Sequence, residues 1–110
     1  MTADEFRKMA LRFPGAIESA HMNHPDFRFK GKIFATLSPP HESWGMVKLT
    51  PEQQRLFVAE TPAVFSPCNG VWGQRGATFV HLAAAKKTVV QAALDAAWKN
   101  ITSPAKKKRA

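Results

Sequence analysis

Residues 24–37, HPDFRFKGKIFATL, carry the reading of the fold, because two runs of alternating character flank the triplet Lys30-Gly31-Lys32. On the incoming side Phe27 and Phe29 alternate with Arg28, and on the outgoing side Ile33, Ala35 and Leu37 alternate with Phe34 and Thr36. A period of two is what a pleated strand imposes, since successive side chains leave on opposite faces. Gly31 takes positive φ without a Cβ penalty, so a tight reversal there makes a β-hairpin with two lysine ammonium groups at its tip. Lysines at hairpin tips also serve solubility alone, and the triplet by itself does not name a ligand.

Upstream of the hairpin, Ile17 to Met22 has room for a short strand, and His24-Pro25-Asp26 reads as a strand-entry turn in which proline fixes φ and His24 can bond the backbone. Earlier still, Thr2 stands three residues before Glu5, the spacing of a capping box. Phe6, Met9, Ala10 and Phe13 then recur at helical intervals until Pro14-Gly15 stops the helix. Downstream, the loop Ser38 to Ser43 holds two prolines unfit for a ladder, and Trp44 to Leu49 forms a further strand. Thr50, Pro51 and Gln53 open a second helix over Pro51 to Glu60, and the irregular segment Pro62 to Asn69 leads to Gly70. Ala77 to Leu82 reads as a strand, and Lys86 to Ile101 as a long helix whose Val90, Leu94, Ala97, Trp98 and Ile101 share one face. The order predicts an α+β, two-layer domain over residues 1–102, an antiparallel sheet packed against helices, followed by a basic tail over 103–110.

Sixteen Lys and Arg against eight Asp and Glu give a formal charge of +8, a balance that suits polyanions. Half of that excess sits in the tail, on Lys106, Lys107, Lys108 and Arg109. Cys68 is the one cysteine, so an intrachain disulfide and a thiolate metal cluster are excluded, and a reducing cytoplasm is the expected location. The first thirteen residues lack the unbroken apolar core of a signal peptide, and no stretch is apolar enough for a membrane helix.

Several runs together resemble the MmcQ/YjbR family of small bacterial proteins: LRFPGAIESAHMNHPDFRFKGKIFATL, then VKLTPEQ, then WGQRGATFVHL, then AAWKNI, in the same order and at similar spacing over residues 5–101. The resemblance implies a curved antiparallel sheet on helices, similar to type III secretion chaperones and the CyaY-like group. It also implies DNA binding through a double wing of hairpins, with the first wing at Phe29 to Ile33 and the second at Val71 to Ala77.

A nonspecific DNA contact needs cations at phosphate spacing, and Arg28, Lys30, Lys32, Lys48 and Arg75 are the candidates, joined by Lys106, Lys107, Lys108 and Arg109 of the tail. Trp44 and Trp72 are candidates for stacking on bases, although tryptophan in a small domain is more often partly buried structure. His21, His24, His41 and His81 lack the cysteine or carboxylate partners of a metal site, so neither metal nor cofactor is expected. Cys68 has no base at a telling spacing, and Gly70 to Gly76 lacks the Lys-Ser/Thr ending of a phosphate loop, so its glycines read as turns and the protein as no enzyme. The rival expectation is a protein-interaction module of secretion-chaperone type, holding a partner on a sheet edge or on an apolar patch near Phe34, Trp44 and Val47.

Overall fold

Thr2 and Thr50 each open a helix through the reciprocal bonds that their spacing predicts. The computed structural model describes residues 1–21, 23–37 and 43–102. In α1 (Ala3–Leu11) the Glu5 N–H donates to Thr2 Oγ1 at 3.1 Å, and the Thr2 N–H donates to Glu5 Oε1 at 2.9 Å. Helix α2 (Pro51–Glu60) repeats the device with Gln53, at 3.1 and 2.9 Å. Met22, the proline loop at 38–42 with His41, and the basic tail at 103–110 lie outside the described residues.

The described strands form one antiparallel sheet of six: β1 (Ile17–His21), β2 (His24–Phe29), β3 (Lys32–Leu37), β4 (Trp44–Lys48), β5 (Phe65–Pro67) and β6 (Ala77–His81). Their order across the sheet is β1-β2-β3-β4-β6-β5. Helices α1 and α4 (Lys87–Thr102) pack on one face, where α4 buries Val90, Ala93, Leu94 and Ala97. Phe6, Phe27, Phe34 and Phe65 are at most 1% exposed, and burying each such ring is worth about 1.5–3 kcal/mol. Phe13 closes the core, stacked on Trp98 with centroids 5.5 Å apart and edge-on to Phe34 at 6.1 Å. The architecture is the expected α+β, two-layer one.

Three local readings need correction. The alternation along β3 is broken: Phe27 pairs with Ala35 but Arg28 pairs with Ile33, so Phe34 is an extra residue in a β-bulge. Phe34 is thereby buried with Ala35 and Leu37, while Ile33 shares the opposite face with Arg28 and Thr36. Secondly, the segment before Asn69 contains β5, whose Phe65 faces Val80 and whose Pro67 faces Thr78; a proline is tolerated there because β5 is an edge strand. Thirdly, Gly70–Gln74 is a short helix, α3, and no second hairpin wing exists at 71–77. It is fastened by Gln54 of α2, whose side-chain amide donates to the carbonyls of Gly73 at 3.0 Å and Ala77 at 2.9 Å.

The hairpin tip is as expected, with an added feature. Lys30 lies at φ +50° and Gly31 at φ +83°, the pair of positive angles that matches the twist of a two-residue hairpin. Gly31 adopts this freely, whereas Lys30 holds a conformation usually left to Gly or Asn.

Candidate functional site

Antiparallel pairing decides where the cations go. Because β2 ends where β3 begins, and Lys48 at the end of β4 pairs with Ala77 at the start of β6, these four termini share one end of the sheet. Lys30 and Lys32 stand exposed at that end, and Arg75 lies two residues before β6, across β4 from their hairpin. Lys48 Nζ lies 5.3 Å from the centroid of the Trp72 ring on α3. Lys48, Leu49, Trp72, Arg75 and Ala77 together line a concavity of about 210 Å³.

Five of the eight other described lysines and arginines are paired with carboxylates, whereas Arg12, Arg55 and Lys86, scattered over the helices and the turn before α4, are not. Among the described residues, Arg7 bonds Asp4 and Glu18, Lys8 bonds Asp4, Lys87 bonds Glu5 and Lys99 bonds Asp95. None of Lys30, Lys32, Lys48 or Arg75 has a carboxylate within 4.0 Å among the described residues. A larger groove of about 510 Å³ between α1 and α4 carries Lys8, Arg12 and Lys87, but there Glu5 and Asp4 neutralise two of the three.

Arg28 is the exception among the expected cations. Its Nε and Nη2 donate to the two oxygens of Asp26 at 2.7 and 3.0 Å, and His21 Nδ1 lies 2.8 Å from Asp26 Oδ2. Asp26 is wholly buried, and the Arg28 guanidinium holds its carboxyl below the usual carboxylate range, with His21 adding to the effect. The charge of Arg28 is therefore spent inside the sheet's open face. The sequence signal existed: Asp26 and Arg28 are two apart on a strand, which puts them on one face. His24 makes no backbone bond through Nδ1, which is buried without a partner among the described residues.

The face away from α1 and α4 carries a groove of about 320 Å³. Met46, Phe79 and Ile33 supply apolar lining, Thr36 and His21 flank it, and Lys48, Trp72, Cys68 and Asn69 close the end nearest α3. Asn69 stands at the N-cap of α3 yet makes no side-chain capping bond. Burial pushes the Cys68 thiol up to about 11, the reverse of an activated nucleophile. Ser66 Oγ and His81 Nε2 are 3.0 Å apart at the far edge, with no carboxylate on His81 among the described residues. Trp44 packs edge-on to His81 at 4.2 Å and to Phe79 at 4.9 Å, while Trp72 is 62% exposed with only the Lys48 ammonium over its ring among the described contacts, so Trp72 is the more accessible of the two stacking candidates.

The alternative docking patch does not form, since Phe34 and Val47 are fully buried. Edge strand β1 is exposed along its length, but Glu18, bonded to Arg7 at 3.0 Å, puts a charged pair on it, a device that discourages strand addition.

No curated protein matches the chain. Among solved structures the chain is similar to the Deinococcus radiodurans protein DR2400, described as a DUF419 domain, with a TM-score of 0.76 and 16% identity over 94% of this chain and 80% of that one. At that identity the likeness concerns the fold. The YjbR family model matches residues 11–100, from the end of α1 into the last turn of α4, and the chain therefore belongs to the YjbR family.

Proposed function

We propose that this YjbR-family protein is a non-enzymatic DNA-binding protein that holds the phosphate backbone at the basic end of its sheet, with the tail residues Lys106 to Arg109 adding to the attraction. The observation that carries the reading is the gathering of Lys30, Lys32, Lys48 and Arg75 at one end of the sheet without carboxylate partners, in a molecule that pairs most of its other described cations. A phosphate chain supplies the missing negative charge and releases its own counterions. Lys30 supports the reading independently: it keeps a positive φ that Asn or Gly would hold with less strain, so a cation sits where local backbone energetics favour another residue.

Four engaged phosphates imply a slope of log K against log salt of about −3 to −4. The discriminating variant is Lys30→Asn, which relieves the backbone and removes the charge. It is expected to raise stability by about 0.5–1 kcal/mol while lowering DNA affinity about threefold to tenfold at low salt. Fluorescence-anisotropy titration and urea unfolding of the full chain read both signs. Salt-independent binding, or undiminished affinity in Lys30→Asn, contradicts the proposal.

A further inference from the structure

The geometry points to single-stranded DNA as the form taken, with one base seated in the open-face groove and stacked on Trp72 while Lys48 and Arg75 hold the adjoining phosphate. This rests on the reading of the basic end as a DNA-binding surface.

Trp72 stands between two concavities of opposite character. On one side lies the groove of about 320 Å³, lined by Met46, Phe79 and Ile33 and predominantly apolar. On the other lies the concavity of about 210 Å³ that Lys48 and Arg75 make cationic. Lys48, Trp72 and Ala77 belong to both. A nucleotide has the same two-part chemistry, a flat apolar face joined by a short sugar to an anion. The volume of the first concavity is at the lower end for small-ligand sites, suited to one base. A base paired in a duplex cannot present its face to such a groove, because both faces are covered by neighbours in the stack.

Two further features fit a base. The Trp72 ring is 62% exposed on a short helix whose position is fixed by Gln54, so a large aromatic surface is held open to solvent at little cost in ordering on binding. Asn69 lies on the groove wall with its amide unused as a helix cap, leaving both a donor and an acceptor for a base edge. The groove itself holds one cation, Lys48, and no unpaired carboxylate among its lining residues, so it does not repel the strand that leads into it.

The test is a titration of the full chain at low salt with a short oligothymidine, the same oligomer carrying one central abasic site, a duplex of equal length and thymidine monophosphate, followed by tryptophan fluorescence and anisotropy. Expected are tighter binding of the single strand than of the duplex and a quenching of tryptophan emission that is lost in Trp72→Ala, which keeps Trp44 and Trp98. Trp72→Ala should weaken single-strand binding about tenfold, with Trp72→Phe recovering most of it. The monophosphate alone should bind only weakly, since it lacks the contacts of Lys30 and Lys32. Equal binding of duplex and single strand, with no effect of Trp72→Ala, overturns the base site and leaves the phosphate-binding reading standing. Failure of every probe to bind overturns both. Because Trp72 is mostly exposed, unfolding midpoints of the two variants should match the parent, which separates lost stacking from lost structure.

Discussion

Gly76→Ala is expected to destabilise the domain by more than about 4 kcal/mol and to prevent a well-folded product near physiological temperature. Gly76 lies at φ +112°, and a Cβ there would stand 1.9 Å from the carbonyl oxygen of Leu49 and 2.8 Å from its carbonyl carbon. Those atoms are backbone and cannot swing aside. The same two segments are clasped by hydrogen bonds, since the Leu49 N–H donates to the Gly76 carbonyl at 3.3 Å and Thr78 Oγ1 donates to it at 2.8 Å. A methyl group must therefore pry the end of β4 from the start of β6, which is where Lys48, Trp72 and Arg75 are brought together. Gly31→Ala makes the control: φ is +83° but the space around it is open, so only backbone strain of about 1–2 kcal/mol is expected. Thermal unfolding of both variants checks the contrast, and a Gly76→Ala protein as stable as Gly31→Ala would show that the approach of these backbones is looser than described.

Asp26→Ala should cost about 2–3 kcal/mol, or roughly 10 °C in Tm, because it leaves a partly buried Arg28 guanidinium and the His21 ring without their shared acceptor. The figure sits below the usual range for a broken buried pair because the Arg28 side chain keeps 28% of its surface exposed. The pH dependence has a definite sign. The carboxyl titrates lower in the folded chain than in the unfolded one, so its stabilisation is complete above the unfolded value of about 4 and fades as pH falls through the folded value. Urea midpoints measured from about pH 6 down to about pH 2 should fall for the parent in that window, and Asp26→Asn should lack that component of the decline. The same variant uncovers the Arg28 charge at the basic end. It should therefore bind DNA about threefold more tightly while being less stable, an opposition of signs that a merely damaged fold does not produce.

Much of the fold was legible because it is written locally. The capping boxes at Thr2 and Thr50, the stripe of Val90, Leu94 and Ala97, and the Lys30-Gly31 reversal each depend on residues within one or two turns of chain. The features that escaped are those decided by distant partners. Phe34 becomes a bulge because the core below β3 has room for its ring, which no alternation rule on β3 can foresee. Three residues ending in proline become β5 only because β6 offers an edge. Gly70 to Gln74 has weak helix propensity and is held as α3 by the Gln54 amide reaching across from α2. Sequence distinguishes the cations by type alone; strand pairing brings Lys30, Lys32, Lys48 and Arg75 to one end of the sheet, and the carboxylate of Asp26 neutralises Arg28.

The most direct measurement is an amide and indole NMR titration of the uniformly labelled full chain with a single-stranded oligonucleotide at low salt. Shifts are expected to concentrate at Lys30 to Lys32, Lys48, the Trp72 indole and Arg75, and to spare Lys8, Arg12 and Lys87 in the groove between α1 and α4. Shifts confined to residues 103–110, or centred on the α1–α4 groove, would contradict the claim that the end of the sheet is the surface on which the strand lies.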